Sequence, residues 1–243
     1  MKINDSTSFA GHLRGDSHKY SEENLTYKLG LTKVYNDLTL NYSESTGLRH
    51  PDLFVLHGAN PSGSFKSMKT TKAETSQTKE ISAKFKISDH VSFNSTAYKG
   101  KISDVLNRST STGGYNEIID IKQEGLENSL IFSDNDQKII LSSTLSKSTE
   151  DDGTPQLRRP EKQFGVKYSK KFASSILGPL SLNYDYRHVG KVEDWKNGST
   201  RAKVDSSDIM NLSVTKEFFG SKWSINILNP VSYTHLTLPT NRE

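Results

Sequence analysis

Residues 81–97, ISAKFKISDHVSFNSTA, hold the pattern that decides the fold. Apolar side chains stand at alternate positions on both sides of the Ser88-Asp89 pair, at Ile81, Ala83, Phe85, Ile87, Val91, Phe93 and Ala97. A period of two places these side chains on one face of a strand, whereas a helix would repeat every three to four residues. Serine and aspartate favour turns. The stretch therefore predicts a hairpin of two strands, each with one apolar and one polar face.

The same alternation recurs along the chain and predicts about eleven strands. They are centred on residues 9–14, 25–31, 38–42, 81–87, 91–97, 126–132, 139–145, 164–168, 180–186, 210–214 and 223–227. Tight turns such as Asn36-Asp37 alternate with long polar segments, at 46–77, 99–116, 147–158 and 187–206. Short turns at one end and long loops at the other are typical of outer-membrane barrels. We therefore predict an all-β protein, an antiparallel transmembrane β-barrel with short periplasmic turns and long extracellular loops.

The composition excludes several other classes of protein. No aliphatic run is much longer than residues 139–141, whereas a membrane helix needs roughly 20 apolar residues. The chain has no cysteine, which removes disulfides, cysteine-based zinc sites and thiol nucleophiles. Its 32 basic and 28 acidic residues give a net charge of +4 without a basic run, so nucleic acid is not an expected partner. The mean hydropathy of −0.67 fits a wide barrel, in which only alternate strand residues face lipid.

Six segments resemble, in the family's order, strand-end motifs of the TonB-dependent outer-membrane receptors. They are 38–54 (LTLNYSESTGLRHPDLF), Asn60-Pro61, 97–106 (AYKGKISDVL), Gly125-Leu126-Glu127, 157–160 (LRRP) and 223–229 (WSINILN). Pro160 fits a strand entrance, because proline cannot donate a hydrogen bond to a ladder. Gly125 fits a place where a strand bends or two backbones approach closely.

The resemblance implies a transport receptor rather than an enzyme. Such receptors import scarce ligands, such as ferric siderophores, cobalamin or haem, across the bacterial outer membrane, and a TonB-type inner-membrane complex energises them through a plug domain. Their barrels have twenty-two strands, so residues 1–229 are expected to be the C-terminal part of a barrel, without the signal, the plug and the first strands. Residues 230–243, PVSYTHLTLPTNRE, match nothing in the family and are expected to be a non-native read-through tail, with a divergent final strand as the alternative. The alternatives are a plugless porin or adhesin-type barrel and an outer-membrane enzyme.

The sequence assigns no catalytic, ligand-contact or metal-ligating residue and predicts no cofactor. An outer ligand site would draw on the long polar segments given above. Asp134 with Asp136, and Asp151-Asp152-Gly153, are interpreted as turns, because neither has the spacing or the distal glutamate of a calcium loop; calcium at Asp151-Asp152 is the alternative. Four aromatic residues are expected to anchor the barrel at the interface with outer-membrane lipid: Tyr184, Tyr186, Trp195 and Trp223.

Overall fold

The computed structural model describes residues 1–19, 21–51, 72–108, 115–173, 178–196, 200–218 and 221–228. These residues form an all-β structure of fourteen strands. The strands are β1 (Lys2–Asn4), β2 (Thr7–His18), β3 (Ser21–Tyr35), β4 (Leu38–Arg49), β5 (Glu74–Lys86), β6 (Val91–Arg108), β7 (Tyr115–Ser133), β8 (Gln137–Glu150), β9 (Lys162–Phe172), β10 (Leu180–Val189), β11 (Val192–Lys196), β12 (Thr200–Val204), β13 (Ser207–Phe218) and β14 (Ser221–Leu228).

Twelve of the strands form one sheet in chain order, from β1 through β10 to β13 and β14. Every neighbouring pair is antiparallel, as expected for strands joined by simple reversals of the chain. Within the described residues the sheet is open, with β1 and β14 at its edges. Strands β11 and β12 form a separate two-stranded hairpin.

No helix in the described part of the chain is long and apolar enough to cross a membrane.

The register of the sheet separates the side chains into two faces of opposite character. One continuous row across nine strands consists of Tyr35, Leu38, Phe85, Phe93, Leu130, Leu141, Val166, Tyr186 and Met210. A row on the other face consists of Ser8, Thr32, Asn41, Ser82, Thr96, Glu127, Thr144 and Gln163. We call these the apolar face and the polar face. The alternation predicted from sequence is therefore confirmed across the sheet.

The apolar face is not covered by the rest of the described chain. Among the described residues, only Ala73 and Ile121 are buried hydrophobic residues, and neither belongs to the apolar rows, where Ile81 is 60% exposed and Phe85 is 45% exposed. A soluble sandwich would pack such a face against a second sheet. Exposed apolar surface on this scale requires a covering by something outside the described residues.

The polar face is held by hydrogen bonds between side chains of neighbouring strands. Thr32 Oγ1 donates to Asn41 Oδ1 (2.8 Å), and Asn41 Nδ2 donates to Ser82 Oγ (3.3 Å). Asn94 Nδ2 donates to Ser129 Oγ (3.2 Å) in the same way two strands further on. Such cross-strand pairs stabilise a sheet by a few tenths of a kcal/mol to about 1 kcal/mol each.

The connections alternate between a turn end and a loop end of the sheet. The predicted turns at Asn36-Asp37, Ser88-Asp89 and Asp134–Asp136 all lie at the turn end. Asn36 adopts a left-handed backbone (φ 44°), which asparagine tolerates. The Asp134 carboxylate accepts hydrogen bonds from the backbone N–H groups of Asp136 and Gln137, and these bonds hold the pKa of Asp134 below its usual value. Local turn chemistry therefore accounts for the Asp134 and Asp136 pair.

The eleven predicted strands are confirmed, and the structure adds β1, β11 and β12. Two of the predicted loops differ from the structure. Most of 99–116 is strand, since β6 continues to Arg108 and β7 begins at Tyr115, and 187–206 contains the β11–β12 hairpin. Polar residues occupy both faces of these outer segments, so the period of two that marks a strand is absent there. Residues 52–71, with Asn60-Pro61, and the tail 230–243 lie outside the described residues.

The 97–106 motif coincides with a β-bulge near the loop end of β6. The register with β7 shifts between Ile102 and Val105, and Asp104 lies in the left-handed region (φ 58°). Asp120 fixes the bulge from the neighbouring strand, because it accepts the backbone N–H of Asp104 (3.2 Å) and pairs with Lys101 (2.5 Å). A bulge bends and twists its strand, so the motif marks a change of direction in β6.

Gly125 leaves space for an aromatic ring on the polar face. It stands directly opposite Tyr98, and a Cβ added to Gly125 would come within 2.6 Å of that ring. A tyrosine that covers a cross-strand glycine fills the space that the missing side chain leaves. The close approach expected at Gly125 is therefore to a side chain.

We expect Gly125→Ala to destabilise the protein by about 1–2 kcal/mol, because the ring of Tyr98 must move. Gly30→Ala is the matched control, since an added Cβ there meets nothing closer than 4.0 Å. The free energy of unfolding in urea, measured for both variants in the same detergent, checks this. Adding Tyr98→Ala to Gly125→Ala should remove the clash; equal losses at Gly125 and Gly30 would contradict it.

Candidate functional site

Two connections at the loop end of the sheet contact each other. One is the 151–161 turn between β8 and β9, and the other is the β11–β12 hairpin between β10 and β13. Ion pairs and hydrogen bonds join them through six residues, which we call the latch: Glu150, Pro155, Arg158, Glu193, Asp194 and Arg201. The structure thus brings together two of the four segments predicted to form the outer surface, 147–158 and 187–206.

The 151–161 turn is ordered by its own backbone and by one carboxylate. Glu150 donates its backbone N–H to the carbonyl of Thr154 (2.8 Å), and Gly153 takes the left-handed conformation (φ 88°) that a glycine adopts freely. Asp152 Oδ1 accepts the backbone N–H of Thr154 (2.8 Å), which lowers the pKa of Asp152. The Asp151-Asp152-Gly153 run is therefore built as a turn, and no group of three metal-binding side chains occurs in the part of the chain that is described.

Arg158 connects the turn to the hairpin with both its backbone and its side chain. Its N–H donates to the carbonyl of Glu193 (2.8 Å), and its Nε donates to Asp194 Oδ1 (2.9 Å). The pKa of Asp194 lies below its usual value, first because the backbone N–H of Trp195 donates to it and then because of Arg158. The ionised Asp194 carboxylate therefore stabilises the folded protein at pH values above its unfolded-state pKa. This stabilisation is lost as the pH falls through the folded-state pKa.

Arg201 is the centre of the latch. Its guanidinium contacts Glu150 Oε1 (3.0 Å) and Glu193 Oε2 (3.7 Å) and donates to the carbonyl oxygen of Pro155. It also lies over the ring of Trp195, 5.6 Å from the centroid, which is a cation–π distance. The Arg201 side chain is only 26% exposed, so these contacts are partly shielded from water.

Trp195 lies apart from the other three residues that are expected to anchor the barrel in the membrane. It lies on β11, in the hairpin rather than in the twelve-stranded sheet, and its ring packs against Arg201. Tyr184, Tyr186 and Trp223 do lie on the apolar face, as the register requires. Tyr186 Oη donates to Asp208 Oδ1 (2.8 Å), so its polar end is satisfied at the loop-end edge of that face.

The contacts of the latch hold the β11–β12 hairpin against the 151–161 turn. Both guanidinium groups are engaged by carboxylates, and the hairpin presents exposed side chains outward, at Trp195, Lys196, Lys203 and Val204. The sequence indicated which segments could form the outer surface. It could not indicate the latch, because Arg158 and Asp194 are 36 residues apart and no local pattern connects them.

Comparison with known proteins identifies the family. A family model described as TonB dependent receptor-like, beta-barrel, matches residues 1–229. The chain belongs to the TonB-dependent receptor β-barrel family. Receptors of this family are outer-membrane transport proteins of Gram-negative bacteria, which agrees with the resemblance seen in the sequence. No curated protein matches the chain in a sequence search.

Solved structures share the fold of this TonB-dependent receptor barrel at low sequence identity. The siderophore receptor PirA from Acinetobacter baumannii has a TM-score of 0.75 and 18% identity, over 94% of this chain and 40% of PirA. The ferric yersiniabactin uptake receptor FyuA from Yersinia pestis has a TM-score of 0.73 and 12% identity, over 94% of this chain and 38% of FyuA. The ferric-catecholate import receptor Fiu from E. coli K12 has a TM-score of 0.70 and 15% identity, over 94% and 38% of the two chains. The chain therefore spans well under half the length of these structures.

Proposed function

We propose that residues 1–229 form the C-terminal part of the barrel of an outer-membrane importer for an iron chelate. The observation that carries the proposal is the twelve-stranded open sheet with one exposed apolar face, matched by the receptor-barrel model over residues 1–229. In this proposal the importer is not an enzyme. A TonB-type inner-membrane complex energises it through a plug domain that lies outside this chain.

The two faces of the sheet have the roles that a membrane barrel requires. Lipid would cover the apolar face, where Leu130, Ile81 and Phe85 are exposed. The polar face, with its serine, threonine and asparagine side chains, would line a wet lumen. Because bilayer hydrocarbon offers no hydrogen bonds, the two open edges at β1 and β14 must pair with further strands of the complete barrel.

The proposed ligand class rests on what the structural neighbours are named for. PirA is a siderophore receptor, FyuA takes up ferric yersiniabactin, and Fiu imports ferric catecholates. The ligands of these three receptors favour an iron chelate over the cobalamin and haem that the sequence left open. The latch supports an outer ligand site, because it fixes the β11–β12 hairpin against the 151–161 turn at the end where an external ligand would arrive.

The extent of the barrel segment, residues 1–229, is also part of the proposal. Residues 230–243 are not assigned to the barrel, the plug and the first strands are assigned to sequence upstream of Met1, and the last strand is assigned to sequence that follows residue 229. Sequencing of the source locus tests this directly. A plug-sized domain upstream and a further barrel strand in place of residues 230–243 are expected, whereas a gene confined to residues 1–243 would contradict it.

Transport of iron tests the function. In the source bacterium, deletion of the complete gene should abolish uptake of ⁵⁵Fe carried by one of a panel of catecholate, hydroxamate and mixed-ligand chelates. Dissipation of the inner-membrane proton gradient should abolish the same uptake. Unchanged uptake after the deletion, across the whole panel, would contradict the importer; uptake that persists without the gradient would indicate a passive porin.

The β11–β12 hairpin allows a more local test. Replacement of residues 191–205 by a glycine-serine linker should leave the barrel in the membrane but weaken binding of the transported chelate at least tenfold. Replacement of the three turn-end residues Asp134, Asn135 and Asp136 by glycine and serine is the control and should leave binding unchanged. Equal binding by both variants would place the ligand site elsewhere.

A further inference from the structure

Three polar side chains interrupt the apolar face on the neighbouring strands β6, β7 and β8. Ser95, Asn128 and Ser143 stand directly opposite one another in the register, with Asn128 in the middle. All three are partly exposed. We call them the Asn128 cluster. Polar residues of this kind are expected in the lumen of a barrel rather than in the band that faces lipid.

Apolar residues border the Asn128 cluster on both sides along the strands. The neighbouring rows of the same face are Ala97, Leu126 and Leu145 toward the loop end, and Phe93, Leu130 and Leu141 toward the turn end. The four leucines of these rows are 37–48% exposed within this chain. The cluster therefore lies inside the apolar band and not at its edge.

The hydrogen bonds within the cluster leave the Asn128 amide incomplete. Ser95 Oγ donates to Asn128 Oδ1 (2.8 Å). A side-chain amide has two N–H donors and an oxygen with two lone pairs. Within the described residues, no hydrogen bond reaches Asn128 Nδ2. The amide thus keeps both of its donors and one lone pair for a partner outside this part of the chain.

Lipid cannot supply that partner. Bilayer hydrocarbon offers no hydrogen bonds, and an amide without a partner is costly there. Asparagine side chains that bond each other, and small residues that allow close approach, are typical of contacts between membrane-spanning helices. The same physics applies to a barrel wall, because hydrocarbon surrounds both. Since Ser95, Ala97 and Ser143 beside Asn128 are small, the cluster has the composition of a protein contact inside the membrane.

Symmetry favours a second copy of the chain as the partner. Copies of one outer-membrane protein share the same orientation, so a two-fold axis between two copies must run along the membrane normal. Rotation about this axis keeps each residue at its depth, so a residue close to the axis meets its own counterpart. An asparagine amide is complementary to itself, because each Nδ2 can donate to the other Oδ1. Two Asn128 side chains would thus satisfy the groups that one copy leaves open.

We propose that the complete receptor forms a two-fold symmetric dimer in the membrane, in which Asn128 bonds the partner's Asn128. Two convex barrel walls touch along a narrow strip, so lipid still covers the remainder of the apolar face. This inference rests on the membrane barrel of the proposed function and is independent of the transported ligand.

The first test measures dimerisation of the complete receptor in lipid vesicles. Asn128→Leu removes the amide and leaves an apolar side chain on the apolar face. Asn94→Leu is the matched control, because Asn94 also bonds a serine of a neighbouring strand, Ser129 (3.2 Å), but lies on the polar face. Energy transfer between differently labelled receptors gives the dimer fraction as lipid is added. Heat-modifiable migration shows that each variant is folded.

Asn128→Leu should raise the dimer dissociation constant roughly tenfold, because two hydrogen bonds are lost and each is worth about threefold in a membrane. The wild type and Asn94→Leu should dimerise equally. A monomeric wild type would overturn the proposal, and so would equal dissociation constants for the two variants.

The second test locates the contact by cross-linking in native outer membranes. In a complete receptor free of other cysteines, Leu130→Cys places a thiol next to Asn128 on the same face, and a short bifunctional maleimide should link two copies there. Ala83→Cys is the control, because it lies on the same face but two strands, or about 10 Å, from β7 and should not link. A link from residue 130 to a different protein would overturn the second copy as the partner, and equal linking at both positions would overturn the contact at Asn128.

The dimer and the proposed function fail in different ways. A receptor that dimerises through Asn128 but transports no iron chelate would support the dimer and contradict the importer. A monomeric receptor that transports the chelate would overturn the dimer and support the importer. If the wild type is not found in the membrane, both are overturned.

Discussion

Replacing Leu130 with arginine should destabilise the membrane-inserted receptor by about 2–4 kcal/mol, because a cation would then face hydrocarbon. Leu130 lies in the middle of the nine-strand apolar row and is 39% exposed within this chain. Ser129→Arg is the matched control on the adjacent, polar face. It should cost no more than about 1 kcal/mol, the value of the hydrogen bond that Ser129 accepts from Asn94. Urea unfolding of the complete receptor from lipid vesicles measures both.

A gradient with depth distinguishes a membrane from a protein core. Leu126 lies on the same face as Leu130 but four residues nearer the loop end, and Glu124 is the next residue of that face. Leu126→Arg should therefore cost less than Leu130→Arg, since the cost of an arginine falls toward the interface. Equal costs at Leu126 and Leu130 would contradict lipid as the covering of the apolar face.

Replacing Arg201 with alanine should open the β11–β12 hairpin. The substitution leaves Glu150 and Glu193 without their cation in a site where these carboxylates are only 17% and 28% exposed. Loss of charged hydrogen bonds of this kind costs about 2–3 kcal/mol, or roughly 30–150-fold in a local opening equilibrium. Hydrogen exchange of the β11 and β12 amides should accelerate by that factor, while exchange in β7 and β8 stays unchanged.

Two further variants complete that comparison. Arg159→Ala removes an exposed arginine that belongs to no ion pair within the described residues, so it should leave the exchange of the hairpin as it is. Arg201→Lys should give an intermediate rate, because lysine keeps the charge but cannot reach two carboxylates and a carbonyl in one plane. An Arg201→Ala rate equal to that of Arg159→Ala would show that the latch does not hold the hairpin.

The sheet could be predicted from sequence because each central strand has one apolar and one polar face. Ile81 and Phe85 alternate with Ser82 and Lys84, and the register confirms both faces. The prediction was wrong for most of 99–116, where the strands continue beyond the apolar band. Polar residues occupy both faces there, so the alternation of apolar and polar residues disappears, although the hydrogen-bond ladder continues to Arg108.

For the loop-end site, the sequence predicted the two chain segments that form it but not the contacts between them. Sequence distance hides the pairing of Arg158 with Asp194 and of Arg201 with Glu150, and both pairs depend on where the sheet carries the ends of β8 and β10. Gly125 is a further example. The sequence shows the glycine, but only the structure shows that the ring of Tyr98 on the neighbouring strand leaves no space for a side chain at that position. Contacts between strands had to be seen in the structure.

The central claim is that this sheet is the wall of a membrane barrel. The most direct test is the accessibility of spin labels along β5 to a lipid-soluble and a water-soluble reagent. The chain has no cysteine, so single cysteines at residues 81 to 86 can carry spin labels without a background signal. In the complete receptor in lipid vesicles, labels at 81, 83 and 85 should collide with lipid-soluble oxygen and be shielded from a water-soluble nickel chelate. Labels at 82, 84 and 86 should collide with oxygen less often than those at 81, 83 and 85. If 81, 83 and 85 are shielded from both reagents, a second protein layer covers the apolar face and the membrane barrel is contradicted.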